Sequence, residues 1–252
     1  DTMMPLLSVH MSIVQEVIGE LPLDNYLGAA LIGSTAPDRR VMTGQERSET
    51  HYFELKKDTI GDGLRNMRSR YPSIFSGAKK NGPSAQAFLI GYVSHLVADE
   101  TWIVDVYRKY FETDEYFGNN PLKNIIDRAF QYSIERDIRR DKDVVGYWRR
   151  NITDTQLTLV DREFMPIQVM EDWKRFILER IMTWAADWNE FPRLIQRFID
   201  EIDVDDATLQ KNLDNPQLML DQIQTTLPSS LVMNYRNDVV KHTLEIAEEI
   251  LN

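Results

Sequence analysis

The sequence contains no cysteine. It can therefore form no disulfide bond, and it offers neither a thiolate ligand for a metal nor a cysteine nucleophile. Any bound metal would have to be held by histidine, aspartate or glutamate. Because the 252 residues include only four histidines, the surroundings of each can be considered in turn.

Long apolar runs are also missing. No stretch of about 18 apolar residues could span a membrane, and no basic-then-apolar leader with a small-residue cleavage site is visible. We therefore expect no transmembrane segment and a cytoplasmic location. Hydrophobic residues make up 42% of the chain and glycine and proline are sparse, which is typical of an ordered globular protein.

Positive charge is in short supply. The chain has 29 Lys and Arg against 40 Asp and Glu, a formal net charge of −11. This excess opposes binding to nucleic-acid phosphates or anionic lipid surfaces unless a local basic site or bound cations offset it. Nucleic acid is therefore a disfavoured partner.

The alternating β-branched runs typical of strands are absent, and apolar residues recur at spacings of three and four. This pattern predicts an all-α fold, a multi-helix bundle with additional C-terminal helices. We expect helices over 6–21, 25–33, 60–70, 84–111, 121–140, 166–188, 190–203, 206–225 and 228–251. Between the second and the fourth of these, the segment 34–83 is expected to be rich in loops.

A weak boundary is expected near residue 150. Residues 1–150 would form a metal-binding helical core, and residues 151–252 a C-terminal helical extension packed on it, unless the whole chain forms one domain. The C-terminal helices could cap a cleft or form a homodimer.

His95 and Asp99 lie four residues apart in the apolar stretch GYVSHLVADETW. On a helix this spacing places both side chains on one face, one turn apart, where they can bind one ion. Because acidic residues are common in this chain, composition alone also produces such pairs. The pair by itself is therefore weak evidence for a metal site.

His10, Asp38 and His51 also lie in apolar surroundings. Burying an imidazole or a carboxylate without a partner costs several kcal/mol, and a shared cation would offset these costs together. Three histidines and two aspartates provide the nitrogen and oxygen ligands that Zn²⁺ accepts, and a carboxylate can bridge two ions. The fourth histidine, His242, is interpreted as a surface residue beside an acid.

Four ordered segments resemble the zinc-dependent phospholipase C and S1/P1 nuclease superfamily. They are His10, LGAALIGSTAPD ending at Asp38, THYF with His51, and LIGYVSHLVADETW with His95 and Asp99. The resemblance covers roughly residues 5–140. It implies an all-α fold that holds up to three zinc ions in a cleft and hydrolyses phosphate esters.

The resemblance also implies roles for individual residues. Asp38, His51, His95 and Asp99 would surround a first metal, and Asp99 would bridge towards a second metal held with His10. Asp38 would in addition be the catalytic residue that orients or deprotonates the attacking water. The expected cofactor is Zn²⁺, with one or two ions.

A third site departs from the family pattern. Where the family has a histidine six residues after the bridging aspartate, this chain has Asp105, and the nearest match to the next ligand pair is Gln131 and Glu135. These possible additional ligands are poor in imidazole. Such a site could stay empty or prefer a harder cation such as Mg²⁺ or Ca²⁺.

The sequence therefore predicts a zinc-dependent hydrolase of phosphate esters, a phospholipase C-like phosphodiesterase that acts on a phospholipid or another phosphate ester. The alternative is a non-catalytic helical scaffold or interaction protein that retains a structural metal site. Beside the candidate ligand Asp38, the arginines Arg39 and Arg40 are candidates for binding phosphate.

Overall fold

Helices form the regular secondary structure of this protein. A computed structural model describes residues 7–158, 160–183, 186–199 and 204–252, and these ranges contain no strand, so the all-α prediction is confirmed. The α-helices are α1 (Leu7–Gly19), α2 (Leu27–Gly33), α3 (Arg40–Thr43), α4 (Arg47–Thr50), α5 (Asp62–Arg70), α6 (Ile74–Asn81), α7 (Pro83–Thr101), α8 (Lys123–Arg140), α9 (Lys142–Asp154), α10 (Ile167–Phe176), α11 (Phe191–Ile199), α12 (Asp206–Asp214), α13 (Gln217–Thr226) and α14 (Leu231–Leu251). Short 3-10 turns lie at Asp24–Tyr26, Ala36–Arg39 and Trp188–Glu190, and π-helical segments at Trp102–Glu112 and Ile177–Ile181.

The expected helices are present with shifted ends. The one expected over 166–188 corresponds to α10 and the π-helical segment that follows it. The ones expected over 6–21 and 190–203 correspond to α1 and α11. Parts of these three expected ranges fall outside the described residues, namely residue 6, residues 184–185 and residues 200–203.

Three features of the helix pattern differ from the expectation. The segment 206–225 divides into α12 and α13, because Pro216 interrupts it and then precedes the first turn of α13. In the segment expected to be loop-rich, α6 is an additional helix. The sequence analysis also missed α9, which begins where Asp141 accepts hydrogen bonds from the backbone N–H groups of Asp143 and Val144.

The helix α7 lies at the centre of the fold. Every residue of 85–98 is buried, and α7 packs against α1, α2, α6 and α14. A helix that is apolar on all sides belongs in a core, so the polar side chain of His95 is enclosed with the rest. Beyond Thr101 the chain continues without a break into the π-helical segment, where the apolar pattern predicted a single α-helix to residue 111.

Glycines allow α2 and α7 to approach each other closely. A Cβ atom on Gly33 would lie 2.1 Å from the carbonyl oxygen of Phe88, and one on Gly91 would lie 2.1 Å from that of Ala30. The same atom on Gly91 would also lie 2.8 Å from the backbone nitrogen of Ser34. Backbone atoms cannot yield as a flexible side chain can, so this crossing requires glycine at both positions.

The last helix crosses α7 in the opposite direction. Near its start, Tyr235 Oη donates to the carbonyl oxygen of Ala98 at 3.2 Å. Near its end, the carbonyl oxygen of Ile250 accepts from Gln86 Nε2 at 3.0 Å. Residues from the C-terminal part of the chain thus cover the central helix. A division near residue 150 and a homodimer through the C-terminal helices stay predictions.

Among the helices of the described ranges, none combines the length and the apolar character that a membrane span requires.

We predict that Gly91→Ala lowers the free energy of unfolding by about 1–3 kcal/mol, because the added methyl group forces α2 away from α7. Gly19→Ala is the matched control, since a Cβ atom there would meet nothing within 4 Å. Urea denaturation followed by circular dichroism measures both variants. Equal loss of stability in the two variants would contradict the close packing of α2 on α7.

Candidate metal centre

Five polar side chains from separate segments meet beside the central helix. His10 comes from α1, Asp38 from the 3-10 turn after α2, and His51 from the end of α4. His95 and Asp99 come from one face of α7. The structure thus brings together all five residues that the sequence analysis selected, while their role as ligands stays a prediction.

The three imidazoles are enclosed, whereas the carboxylates reach the solvent. His10, His51 and His95 are 3%, 1% and 1% exposed. The side chains of Asp38 and Asp99 are 16% and 18% exposed. The cluster is therefore open on the carboxylate side, which is where a small molecule could enter.

Asp99 lies between two groups of nitrogen and oxygen atoms. Its Oδ1 is 3.5 Å from His10 Nε2, and its Oδ2 is 3.5 Å from His51 Nε2 and 3.8 Å from His95 Nε2. On the far side, Asp38 Oδ1 is 3.6 Å from His51 Nε2. Two sets of three residues have ligand atoms within 4.8 Å of one another, namely His10, His95 and Asp99, and Asp38, His51 and His95.

The protonated nitrogen of His95 is determined by its surroundings. His95 Nδ1 lies 2.8 Å from the carbonyl oxygen of Ser34. A carbonyl oxygen only accepts, so Nδ1 carries the proton and donates it. Burial, reinforced by His10, lowers the pKa of His95 to about 3, so the ring is neutral near pH 7 and Nε2 presents a lone pair.

His51 presents the same kind of atom to the cluster. The Thr50 hydroxyl donates to the carbonyl oxygen of Arg47 at 3.3 Å, and its oxygen lies 2.9 Å from His51 Nδ1. Burial and the charge of Arg47 hold the pKa of His51 well below its usual range. His51 Nε2 lies 3.2 Å from His95 Nε2, and with the ring proton on Nδ1, beside Thr50, it would present a lone pair to the cluster as a metal ligand must.

The carboxylates complete a cluster of acceptors. Burial works to raise the pKa of Asp99, but Arg47 and the histidines outweigh it and keep that pKa well below its usual range. Asp99 is therefore ionised. Burial raises the pKa of Asp38, which makes this carboxylate a stronger base than an exposed aspartate.

Facing lone pairs cannot form hydrogen bonds with each other, and a cation between them satisfies all of them at once. His10 adds a further nitrogen to the cluster, because its Nε2 lies 3.5 Å from Asp99 Oδ1. Its ring also stacks on that of His95, with the centroids 3.8 Å apart. Imidazole nitrogens and carboxylate oxygens are ligands that zinc accepts, so the residues present fit one or two zinc ions.

The residues considered for a third ion contact different partners. Burial, together with the charge of Asp238 on α14, raises the pKa of Asp105. On α8, Gln131 Nε2 instead donates to Asp127 Oδ2 at 2.7 Å. The Gln131 amide is thus engaged with Asp127, and a third ion stays a prediction.

Glu135 has a structural contact in place of a metal. Its Oε2 accepts from the backbone nitrogen of Ser8 at 2.9 Å, and its Oε1 lies 3.4 Å from Arg139 Nη1. Both Glu135 and Arg139 are buried. The carboxylate thereby binds a backbone N–H of the first turn of α1, a group that helices leave without an internal partner.

Two residues at the centre were missed by the sequence analysis. Arg47 Nη2 lies 2.5 Å from Asp99 Oδ2, although 52 positions separate the two residues. Glu100 accepts from the backbone nitrogens of Gly61 at 2.5 Å and Gly63 at 2.8 Å, which holds that loop against α7. The only local signal was the position of Arg47 four residues before His51, on the same side of a helical turn.

Two arginines were selected as phosphate candidates; Arg39 is buried, whereas Arg40 is partly exposed and its role stays a prediction. Arg39 is 3% exposed, and its Nη1 donates to Tyr92 Oη and to the carbonyl oxygen of Ala36, each at 3.1 Å. It supports the packing under the metal-site residues and does not reach the opening.

Comparison with protein families agrees with this arrangement. The sequence model of the zinc-dependent phospholipase C family matches residues 9–164, which is more than half of the chain and includes all five clustered residues. Comparisons with curated proteins and with solved structures find no match.

We predict that His95→Gln lowers zinc affinity by more than about tenfold, because the variant removes a nitrogen that both sets of ligand atoms share. Zinc content after dialysis, measured by mass spectrometry, and titration against a chelator would show the loss. His242→Gln on α14 is the matched control and should keep wild-type zinc content. A zinc-replete His95→Gln protein would exclude this residue as a ligand.

A second prediction concerns the loop beside the centre. Burial raises the pKa of Glu100 from 4.5 to about 7, although the N–H groups of Gly61 and Gly63 oppose the shift. At a pH between these two pKa values, Glu100 keeps its proton in the folded chain and releases it in the unfolded chain. The free energy of unfolding therefore falls as the pH rises through this range. Going from pH 5 to pH 8, the wild type should lose about 1–3 kcal/mol more than Glu100→Gln. Urea denaturation at both pH values measures the difference, and identical losses would refute it.

Proposed function

The chain belongs to the zinc-dependent phospholipase C family, and we propose that it hydrolyses phosphate esters at the zinc centre beside α7, with a phospholipid as the substrate. One observation carries the proposal. The Nε2 atoms of His51 and His95 lie 3.2 Å apart, next to two carboxylates that reach the solvent. This arrangement would hold a cation at a position that a substrate can approach.

Two overlapping ligand sets would hold the ions. Asp38, His51 and His95, with Oδ2 of Asp99, would bind the first, and His10 with Oδ1 of Asp99 would bind the second. When bound, zinc supplies a Lewis acid that brings the pKa of a water close to neutral and stabilises negative charge on phosphate oxygens.

The residues of the chain position the reaction. The Ser34 carbonyl keeps the His95 ring in one orientation, and the Thr50 hydroxyl does the same for His51. Asp38 is partly exposed, and its pKa is raised by burial, so it is suited to orient the attacking water and to accept its proton. No covalent intermediate with a side chain is required.

A phosphodiester in a lipid or a small molecule is preferred to nucleic acid. The net charge of −11 repels a polyanion over the whole surface, whereas a single phosphate meets only the charges at the centre. The family relationship points in the same direction, since it concerns phospholipases.

A non-catalytic scaffold with a structural metal is the second candidate. It is favoured by the contacts of Glu135, which ties α1 to α8 where the family would place another ligand. A protein that needs metal only for its fold could retain the enclosed histidines and lose such a site. The scaffold predicts a stable, zinc-loaded protein that is inert to every ester.

We predict that Asp38→Asn lowers the turnover of a chromogenic phosphodiester and of phospholipid vesicles by about 100-fold or more, because the amide cannot accept a proton. Since the amide oxygen remains a possible ligand, zinc content should fall much less than in His95→Gln. Asp137→Asn is the control, because Asp137 is 70% exposed on α8.

Two outcomes would contradict the proposal. A zinc-loaded wild type that cleaves neither substrate would favour the scaffold. Full turnover by Asp38→Asn with wild-type zinc content would remove Asp38 from the mechanism and leave the rest of the centre in question.

A further inference from the structure

The side chain of Arg47 is more exposed than either carboxylate of the centre. Its side chain is 27% exposed, compared with 18% for Asp99, to which it is bonded. We propose that Arg47 anchors the phosphate of the substrate and that zinc binding at Asp99 releases it for this role. The inference rests on the proposed function, because it assigns a phosphate contact to the same centre.

The balance of charge supports this assignment. Asp38 and Asp99 are the carboxylates that contact the imidazoles of the centre, and Arg47 is the cation bonded to Asp99. One divalent cation neutralises both carboxylates. Arg47 then has no anion of its own at the centre, and a phosphate is the group that restores the balance.

Arg47 and a metal share the same oxygen. Asp99 Oδ2 lies 2.5 Å from Arg47 Nη2 and 3.5 Å from His51 Nε2, so it faces both the guanidinium and the first ligand set. A cation on this oxygen withdraws negative charge from it and weakens its hold on the guanidinium. The two cations therefore compete for Asp99, and loading with metal makes the guanidinium available.

The donors of Arg47 are only partly used. A guanidinium has five N–H groups in a planar fork that matches two oxygens of a phosphate. Arg47 Nη2 binds Asp99, whereas Nε is buried and has no hydrogen-bond partner. A buried donor without an acceptor is costly, so a shift that frees the guanidinium from Asp99 and gives Nε a phosphate oxygen as its acceptor would be favourable.

The experiment measures binding, so it does not depend on turnover. Inorganic phosphate is titrated by calorimetry into zinc-loaded wild type, Arg47→Gln and Arg47→Lys, and zinc affinity is measured by chelator competition. We expect Arg47→Gln to weaken phosphate binding by about tenfold or more, with Arg47→Lys between the two because it keeps the charge and loses the fork. The zinc affinity of Arg47→Gln should equal or exceed that of the wild type, since a competitor for Asp99 is gone.

Arg140→Gln is the matched control, because Arg140 is 65% exposed and pairs with Asp137 on the surface of α8. It should bind phosphate and zinc as the wild type does. The inference is overturned if wild type and Arg47→Gln bind phosphate equally, or if zinc-loaded wild type binds none. A loss of zinc in Arg47→Gln as large as in His95→Gln also overturns it, since Arg47 would then only be a counter-ion that holds Asp99 in place.

The two proposals can fail separately. A wild type that cleaves no ester but binds phosphate through Arg47 leaves the anchor intact and removes hydrolysis. An active wild type whose Arg47→Gln variant keeps the same KM and the same phosphate affinity removes the anchor and leaves hydrolysis intact.

Discussion

The burial of three imidazoles beside two carboxylates is the constraint on which this centre depends. His51 Nε2 and His95 Nε2 lie 3.2 Å apart, and Asp99 places both its oxygens next to imidazole nitrogens. In water each of these acceptors would find its own donor. Enclosed together, these nitrogen and oxygen atoms can share one cation as their common partner. Membership of a zinc-dependent family agrees with this interpretation.

The packing of α2 on α7 serves this centre directly. Gly91 lets the two backbones approach, and one turn further along α7 His95 donates to the carbonyl oxygen of Ser34 at the end of α2. That hydrogen bond turns Nε2 towards the other ligands. The stability of the crossing and the orientation of the ring therefore depend on the same glycine, as metal centres generally depend on the groups behind their ligands.

Charge is distributed unevenly between the centre and the rest of the chain. The overall charge is −11, but at the centre the cationic side chain of Arg47 is more exposed than the carboxylates of Asp38 and Asp99. Where the family pattern would continue towards a third ion, Glu135 instead pairs with Arg139 and binds the start of α1. A carboxylate engaged in this way is less available as a ligand, and the five clustered residues His10, Asp38, His51, His95 and Asp99 stay the predicted ligands.

The sequence by itself determined the helical class and the residues worth attention. Apolar spacing of three and four is a local property, so it located helices such as α1, α8 and α14, and the enclosed polar residues stood out against it. The same local pattern could not distinguish α-helix from π-helix after Thr101, because both continue the turn. Only the tertiary structure decided that Arg47 reaches Asp99, that Arg39 is buried and that Glu135 contacts Ser8. Arg47 and Asp99 are far apart in the sequence, as are Glu135 and Ser8, and the burial of Arg39 likewise depends on distant segments. Such contacts depend on how whole helices pack.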